Sequence, residues 1–436
     1  MIWASRIGKK LKPNVLVLTR DFFTEKKLKT YCKRVDITNS DIVSIWIFDY
    51  LHGDNNRPPK WSRRDYQVFM VQWSCYTLGE IKLAIKYQNH NVLMEICKDI
   101  AREVCRRIRQ RDLRLTPIRF FKRIDGISGK EREISHESIM QQIMDAVAVT
   151  ALMPLFRAKI MPHQYASVKK RGQVAGKSKI EKWLRRDKRC RVYGKADVTK
   201  CFQSLSRRVI MRLLRRDIRK NVLLLWFVNE LLSTYWKIEN GVVVILGLVI
   251  GTLLSQWLCN YALSYMYRYI QTLTRVQHRR GQTRTVKLVH HILFYMDDIL
   301  LIGSRAADIQ SALRKAAVWA KRELGVKLHD NWKLLDLKRH TIDMMGYVVG
   351  YKCTTVRARI FLRARRHYLR AGVWLRHNLH LTLRRARDIV CYYGYFKHSD
   401  SVKIKAKLDV ENIFVKAKQD ISYYALLHQK KGALAA

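Results

Sequence analysis

The sequence is poor in acidic residues: Asp and Glu number 35, against 85 Lys and Arg, and the formal net charge is +50. Charge of one sign on this scale repels itself, so we expect the chain to act beside a polyanion. Apolar residues still make up 48% of the sequence, which excludes a disordered basic tail and allows a large core. The composition therefore predicts a folded protein that binds nucleic acid, with a basic membrane-surface protein as the competing class.

Cysteine pairs, long apolar runs and secretion signals are also lacking. The nine cysteines are scattered, odd in number and without a Cys-x-x-Cys spacing, which argues against a disulfide framework or an obvious zinc site. The apolar run within residues 241–258 reaches about 14 residues before Ser255, short of the roughly 20 that a membrane span needs. We interpret it as a buried strand followed by the start of a helix. No lipidation motif or signal peptide is recognisable, so we expect a cytoplasmic protein that does not bind a membrane.

Two adjacent acids, Asp297 and Asp298, lie between two apolar runs within residues 288–302. Apolar runs that flank two polar residues predict a β-hairpin, although this tip lacks the glycine that tight hairpins favour. Two carboxylates so close together stay ionised only beside a cation. The pair therefore suggests a divalent metal site, and a solvated turn is the alternative.

A third acid, Asp197, ends an alternating stretch that predicts a β-strand. A helical pattern follows it, after a capping signal at Ser204 and Ser206. Together with Asp297 and Asp298, Asp197 would supply the oxygen ligands that Mg²⁺ prefers. Nucleotidyl transfer is the chemistry that uses such a two-metal centre.

These acids belong to an ordered series of motifs. Phe202 follows Asp197 by five residues, and the later motifs are Gly251-Thr-Leu-Leu-Ser-Gln256, Tyr295-Met-Asp-Asp298 and Met344-Met-Gly-Tyr347. Upstream lie Gly129-Lys-Glu-Arg-Glu-Ile134 and residues 165–177. In this order, between about residues 115 and 350, the motifs resemble the sequence blocks of reverse transcriptases. Four motifs in the same order make the resemblance specific.

The resemblance implies an α+β right-hand polymerase fold with a helical N-terminal extension. On this basis we expect the extension at residues 1–110, the fingers at 111–190, a palm with the catalytic hairpin at 191–350 and a basic helical thumb at 351–436. Apolar periodicity adds two helices to this outline. One runs through Leu93 and Ile108, and the other occupies residues 306–324 and ends at Gly325.

The resemblance also implies roles for the acids and for two nearby residues. Asp197 and Asp297 would bind two Mg²⁺ ions, for which Mn²⁺ can substitute, and the backbone carbonyl of Val198 would help. Asp298 would be a weaker ligand. Phe202 would pack beneath the sugar of the incoming nucleotide and select deoxynucleotides, and Gln256 would lie beside the templating base or that nucleotide.

Basic residues are expected to contact phosphates, because Lys and Arg form charge-assisted bonds to them. By resemblance, those expected at the incoming nucleotide are Lys130, Arg132, Lys169, Lys170, Arg171 and Lys333. Those expected on the template and primer backbone are the thumb residues Arg363, Arg366, Arg370, Arg384 and Arg385. For the first group the alternative is a solvated or template-binding charge, and for the thumb residues it is a solvated surface.

The motif from Ile250 to Gln256 separates subfamilies. Its Ile-Gly-x-x-x-Ser-Gln pattern is similar to that of diversity-generating retroelements and related bacterial antiphage-defence reverse transcriptases, and it differs from the Pro-Gln-Gly of group II intron enzymes. We therefore expect a bacterial or phage-encoded RNA-directed DNA polymerase that copies a cognate structured non-coding RNA into cDNA. Its partners would be this RNA template, a cDNA or DNA primer and dNTPs, with an accessory protein or a homo-oligomer as further possibilities. An intron-type maturase and a catalytically silent RNA-binding scaffold are the alternatives.

Overall fold

The computed structural model describes residues 29–53, 58–124, 129, 131–377 and 379–434. Its N-terminal part is helical, with a short 3₁₀ turn at Lys60–Ser62. The helices are α1 (Ser40–His52), α2 (Arg64–Gln72), α3 (Leu78–Lys86) and α4 (His90–Gln110). The apolar face predicted between Leu93 and Ile108 is buried in α4, and this prediction is confirmed.

A β-hairpin and three helices follow. Strands β1 (Arg119–Ile124) and β2 (Glu131–His136) pair antiparallel. The helices are α5 (Ile139–Ala151), α6 (Met153–Lys159) and α7 (Gln173–Arg186). Among the described residues, no single helix combines the length and apolar character needed to cross a membrane; α5 and α6 meet that test only as a pair, with a bend of 55° between them.

The central part of the chain alternates helices with short strands. Its elements, in order, are β3 (Val192–Asp197), α8 (Cys201–Ser204), α9 (Arg207–Ile218), α10 (Val222–Ser233), β4 (Trp236–Glu239), β5 (Val242–Ile245), α11 (Leu253–Thr272), β6 (Thr274–Arg279), β7 (Gln282–Lys287), β8 (His291–Tyr295), β9 (Asp298–Gly303), α12 (Ala306–Leu324) and β10 (Lys333–Asp336). Ser206 caps α9, and Gly325 ends α12 in the left-handed conformation, as the sequence predicts.

Four of these strands form the central antiparallel sheet, in the order β10–β3–β9–β8. Side chains alternate between its two faces. Ile299 and Leu301 pack into the large core with α12, whereas Leu300 and Ile302 pack into a second core with α7. The hairpin predicted around Asp297 is confirmed as the turn between β8 and β9.

The prediction of a buried strand within residues 241–258 is wrong, because the strand found there is exposed. Strand β5 pairs with β4 in a separate two-stranded ribbon, and Val242, Val243 and Ile245 are 63%, 59% and 80% exposed. The ribbon stands away from the cores, so its apolar side chains face solvent. Burial begins at Gly247, and the predicted helix start is confirmed at Leu253, the first residue of α11.

The C-terminal part combines a small sheet with basic helices. Strands β11 (Ile342–Met344), β12 (Tyr347–Val349) and β13 (Thr354–Val356) pair antiparallel in that order. The helices are α13 (Ala358–Arg376), α14 (Leu383–Lys397), α15 (Val402–Lys407) and α16 (Val410–Leu434), and they share a core of their own. Antiparallel sheets with separate helical layers confirm the predicted α+β class.

Candidate active site

The three predicted acids meet at one end of the central sheet. Asp197, the last residue of β3, is the cross-strand partner of Asp298, the first residue of β9. The backbone N–H of Val198 donates to the carbonyl oxygen of Asp297 at 3.2 Å. The turn depends on Met296, which adopts a left-handed φ of 56°. The strand pairing therefore brings together acids that lie a hundred positions apart in the chain.

The electrostatics of Asp297 reflect this crowding. Burial, followed by the negative charge of Asp197, raises the pKa of the Asp297 carboxyl to about 6. The charge of Arg132, on β2, lowers it. Two carboxylates that repel one another in a half-buried site are suited to a bound cation, because a divalent ion removes both the repulsion and the desolvation cost.

The segment after α12 secures Asp197 and Val198. The N–H of Thr199 donates to the carbonyl of Lys327 at 2.8 Å, and the N–H of His329 donates to the carbonyl of Asp197 at 2.9 Å. The imidazole Nε2 of His329 lies 4.0 Å from the Asp197 carboxylate. The backbone at Asp197 and Val198 is thus fixed on two sides, by the hairpin turn and by this segment.

Lys195 is a charged neighbour of the acids that the sequence reasoning overlooked. Its Nζ lies 3.2 Å from Oδ1 of Asp298 and donates to the backbone carbonyl of Asp343 at 3.4 Å. The signal was available, because residues two apart on a strand share a face and Lys195 precedes Asp197 by two. The site therefore contains a positively charged side chain, Lys195, beside Asp298.

An open cavity of about 420 Å³ adjoins this side of the acids. Lys333, on β10, lies opposite Lys195 in the strand register and lines the cavity with Asn331 and Asp343. The cavity also contacts Asp197 and Asp298. Lys333 therefore shares a cavity with two of the acids.

The expected fingers cations fall into different settings. Lys130 lies outside the described residues. Arg132 is close enough to Asp297 for its charge to lower that pKa, and Lys169 and Lys170 are exposed. Arg171 donates from Nη1 to the carbonyls of Met161 at 2.7 Å and Gln164 at 3.3 Å, so it holds its own loop together.

Phe202 and Gln256 are both half-buried on helices, α8 and α11. The carbonyl of Phe202, in α8, accepts from the N–H of Leu248 at 2.9 Å. Gln256 lies in the first turns of α11, where the Asn260 amide donates to the Gln256 carbonyl at 3.3 Å and to the Ala166 carbonyl at 2.9 Å. These bonds join the Ile250 motif to the segment that opens residues 165–177.

The β1–β2 hairpin reaches the same motif through Gly251. The N–H of Ser135, on β2, donates to the carbonyl of Ile250 at 2.7 Å. Gly251 has a φ of 128°, and a Cβ at this position would lie 2.4 Å from the Ser135 carbonyl oxygen. A glycine is required here because the two backbones approach so closely.

The expected thumb arginines lie away from the acids, on the C-terminal helices. Arg363, Arg366 and Arg370 follow one face of α13 at helical spacing. Arg366, Arg370 and Arg384 are exposed. Arg385 is half-buried, with its guanidinium 4.1 Å from the ring centre of Trp374, so it packs inside the helical bundle.

A second group with metal-ligand side chains lies at the other end of the central sheet. Ligand atoms of Asp187, Cys190 and His291 all lie within 4.8 Å of one another. Asp187 there accepts bonds from Arg189 at 2.9 Å and from His291 at 2.8 Å. Its charge is already balanced, so the donor set at Asp197 and Asp297 fits a divalent cation better.

One family model matches the chain, and some solved structures show a weaker similarity. A model of the family described as reverse transcriptase (RNA-dependent DNA polymerase) matches residues 122–349, more than half of the chain. No curated protein matches the chain. Among solved structures, the in situ structure of the BmCPV RNA-dependent RNA polymerase at elongation state is 12% identical, with a TM-score of 0.37, and the match covers 62% of this chain and 26% of that one.

An insertion-loop deletion mutant of the RNA-dependent RNA polymerase of a human picobirnavirus is also similar. It is 12% identical, with a TM-score of 0.37, and the match covers 55% of this chain and 45% of that one. The chain thus spans less than half the length of either viral polymerase.

Proposed function

Because the chain belongs to the reverse transcriptase (RNA-dependent DNA polymerase) family and has its α+β right-hand polymerase fold, we propose that it copies an RNA template into DNA by nucleotidyl transfer. The observation that carries this proposal is the placement of Asp197 opposite Asp298, with Asp297 close enough for Asp197 to raise its pKa. The same three acids are the ones that the sequence motifs single out.

Asp197, Asp297 and the carbonyl of Val198 would hold two Mg²⁺ ions, with Mn²⁺ as a possible substitute. When bound, such ions acidify the primer 3′-hydroxyl and stabilise the charge of the departing pyrophosphate. Asp197 and Asp297 themselves fix the position where the reacting groups meet, because the strand pairing and the Val198 bond leave their backbones little freedom. Asp298 contributes less, since Lys195 already lies beside it.

The basic residues around the acids would bind the incoming nucleotide. Arg132, Lys130 and Lys169 would contact the triphosphate, and Lys333 would approach it from the cavity side. Arg171 would act by holding the loop that presents Lys169. Lys and Arg suit this task because charge-assisted bonds to phosphate are strong in a partly desolvated site.

Phe202 and Gln256 would determine what is incorporated. Phe202 would pack beneath the sugar and leave no space for a 2′-hydroxyl, so that dNTPs are preferred. Gln256 would lie beside the templating base or the incoming nucleotide. Both residues are half-buried, which leaves part of each side chain open to a substrate.

Template and primer would lie along the C-terminal helices. Arg363, Arg366, Arg370 and Arg384 would contact phosphates, which fixes position without reading sequence. The formal net charge of +50 supports a large nucleic-acid partner. Arg385 would act indirectly, by packing on Trp374.

In the cell, we propose that the template is a cognate structured non-coding RNA, and that the enzyme works in the cytoplasm of a bacterium as part of a diversity-generating retroelement or an antiphage-defence system. The Ile250 to Gln256 motif supports this role. Nine free cysteines support a reducing compartment. An accessory protein or a second copy of the chain would be a further partner of the enzyme and its RNA.

The test of the proposed activity is primer extension with dNTPs on an RNA template. Asp197→Asn should abolish incorporation and leave RNA binding intact, whereas Asp330→Asn, a change at an acid that is 74% exposed and pairs with Lys327, should preserve both. A wild-type protein that binds RNA but incorporates no dNTP, with Mg²⁺ or Mn²⁺, would instead identify a silent scaffold.

A further inference from the structure

A basic ribbon projects between α11 and the central sheet. Strands β6 and β7 pair antiparallel from Thr274 with Lys287 to Arg279 with Gln282, and they form a two-stranded sheet of their own. Residues 274–287 contain no Asp or Glu and five cations: Arg275, Arg279, Arg280, Arg284 and Lys287. All of these except Arg275 are exposed.

The base of the ribbon lies at the far end of the central sheet from the acids. The N–H of Leu288 donates to the carbonyl of Leu273 at 2.9 Å and closes the ribbon, and the N–H of His290 donates to the carbonyl of Ile302 at 2.9 Å. Ile302 and Asp298 stand near opposite ends of β9. At the usual rise of a strand, the ribbon base is therefore about 13 Å or more from the catalytic carboxylates.

The acids at this end of the sheet are already paired. Asp308 lies 3.0 Å from Arg275, and Asp187 lies 2.9 Å from Arg189. Both acids and Arg189 influence the pKa of His290, so these groups surround the ribbon base. The exposed cations farther out on the ribbon are therefore available to counter-charge from another molecule.

The composition of the ribbon indicates which polyanion it suits. Residues 274–287 contain no Phe, Tyr or Trp, whereas surfaces that bind single strands use such rings to stack bases. A narrow ribbon with cations along its length suits the phosphates of a helix, where contacts follow the backbone and its shape. Its largest exposed apolar side chain is Val276, which offers little to a protein partner.

We propose that the ribbon of β6 and β7 docks on the backbone of a double-stranded RNA segment that lies outside the template in the active site. A structured RNA would then be held at two places, by the polymerase site and by the ribbon. The inference rests on the proposed function only in taking RNA as the polyanion. The part of that RNA that does not serve as template would bind the β6–β7 ribbon, separately from the active site.

The test compares two variants that lose the same charge. One is Arg279→Gln with Arg280→Gln and Arg284→Gln, and the other, a control on and after α9, is Arg208→Gln with Arg215→Gln and Lys220→Gln. The probe is an RNA hairpin of about 16 base pairs, the length that modules gripping A-form RNA span. Affinity is measured at several salt concentrations, together with primer extension on a short homopolymeric RNA template.

The ribbon variant should bind the hairpin about tenfold less tightly at low salt, and its slope of log K against log salt should fall by about 2. The control variant should change neither quantity, and both variants should extend the short primer as the wild type does. Equal losses in the two variants, or wild-type binding by the ribbon variant, would overturn the proposal. Binding is measured without dNTPs, so an inactive wild type would defeat the proposed function and still leave the ribbon tested.

Discussion

The ammonium group of Lys195 lies 3.2 Å from a carboxylate oxygen of Asp298, on the strand face that also carries Asp197. The two side chains are 33% and 32% exposed, so water screens the pair and its direct contribution to stability is below about 1 kcal/mol. Its larger effect is on the site, because one positive charge offsets part of the repulsion among three acids. Lys195 is therefore placed to tune how strongly the acids attract a cation.

Lys195→Met should increase the affinity of the site for divalent ions. The half-saturating Mg²⁺ concentration in primer extension should fall about two- to fivefold, since a competing cation has been removed. Mn²⁺ binding to the free protein, followed by electron paramagnetic resonance, should shift in the same direction. Lys315→Met, an exposed change on α12, is the control, and an unchanged or higher Mg²⁺ requirement would contradict the assignment.

Phe202→Val should relax the choice of sugar. A smaller side chain leaves space for a 2′-hydroxyl, so the ratio of kcat/KM for ribonucleotides to that for deoxynucleotides should rise about tenfold or more. Single-nucleotide extension with each substrate measures this ratio. Phe361→Val, at a half-buried position on α13, should leave it unchanged. If the ratio stays at the wild-type value in both variants, Phe202 is a packing residue only.

Gly251→Ala should uncouple the β1–β2 hairpin from α11. The new methyl group would meet the Ser135 carbonyl oxygen at 2.4 Å, so the backbones must separate, and we expect a loss of about 1–3 kcal/mol in the free energy of unfolding with reduced primer extension. Gly241→Ala is a matched control, because its φ is 78° and a Cβ there meets nothing within 4 Å. If both variants lose the same free energy of unfolding, the cost comes from the positive φ alone and the contact with Ser135 contributes nothing.

A buried acid pair links α5 to the start of α11. Asp145, on α5, accepts from the N–H of Leu254 at 3.1 Å at the start of α11, a position that favours negative charge. Glu137 lies beside it, and burial followed by the charge of Asp145 raises the pKa of Glu137 well above its usual range. Burial raises the pKa of Asp145 as well, to about 7, so the pair together holds a proton at neutral pH that the two carboxyls can share.

This pair predicts a pH-dependent stability. A carboxyl whose folded pKa is raised binds a proton in the folded state only, so the free energy of unfolding falls as pH rises above the unfolded pKa of about 4.5, by up to about 1.4 kcal/mol per pH unit. Glu137→Gln keeps a donor for Asp145 without titrating and should reduce this slope, while the buried Asp145 carboxyl, whose pKa is also raised, retains a smaller one. Urea unfolding between pH 6 and pH 8 measures it, and Glu131→Gln, at a position that is 52% exposed, should retain the wild-type slope.

The sequence predicted the local elements of the site better than its surroundings. Alternation and capping signals located the strand at Asp197 and the hairpin at Asp297, because these depend on neighbouring residues. The resemblance of the motifs to a known family predicted that the three acids share one site. Lys195 shares a strand face with Asp197, but its contact with Asp298, 103 positions away, becomes evident only from the strand pairing. Strand β5 was expected to be buried because an apolar strand does not show whether another layer covers it.

Arg384 and Arg385 show the same limit, since the sequence offers two adjacent arginines and the structure separates them. Arg384 is exposed, whereas the Arg385 guanidinium lies 4.1 Å from the centre of the Trp374 ring. Arg384→Gln should weaken nucleic-acid binding and lower the salt slope by about 1, with stability unchanged. Arg385→Gln should lower the free energy of unfolding by about 1 kcal/mol and leave the salt slope unchanged, because a partly desolvated cation–π contact is lost.

Both variants can be measured on one RNA–DNA primer–template duplex, with affinity at several salt concentrations and urea unfolding in parallel. Each serves as the control for the other, because they remove the same charge from the same turn of α14. A salt slope that falls equally in the two variants would mean that Arg385 leaves Trp374 when nucleic acid binds. The ring would then be uncovered in the complex, and Trp374→Leu should weaken binding as much as Arg385→Gln does.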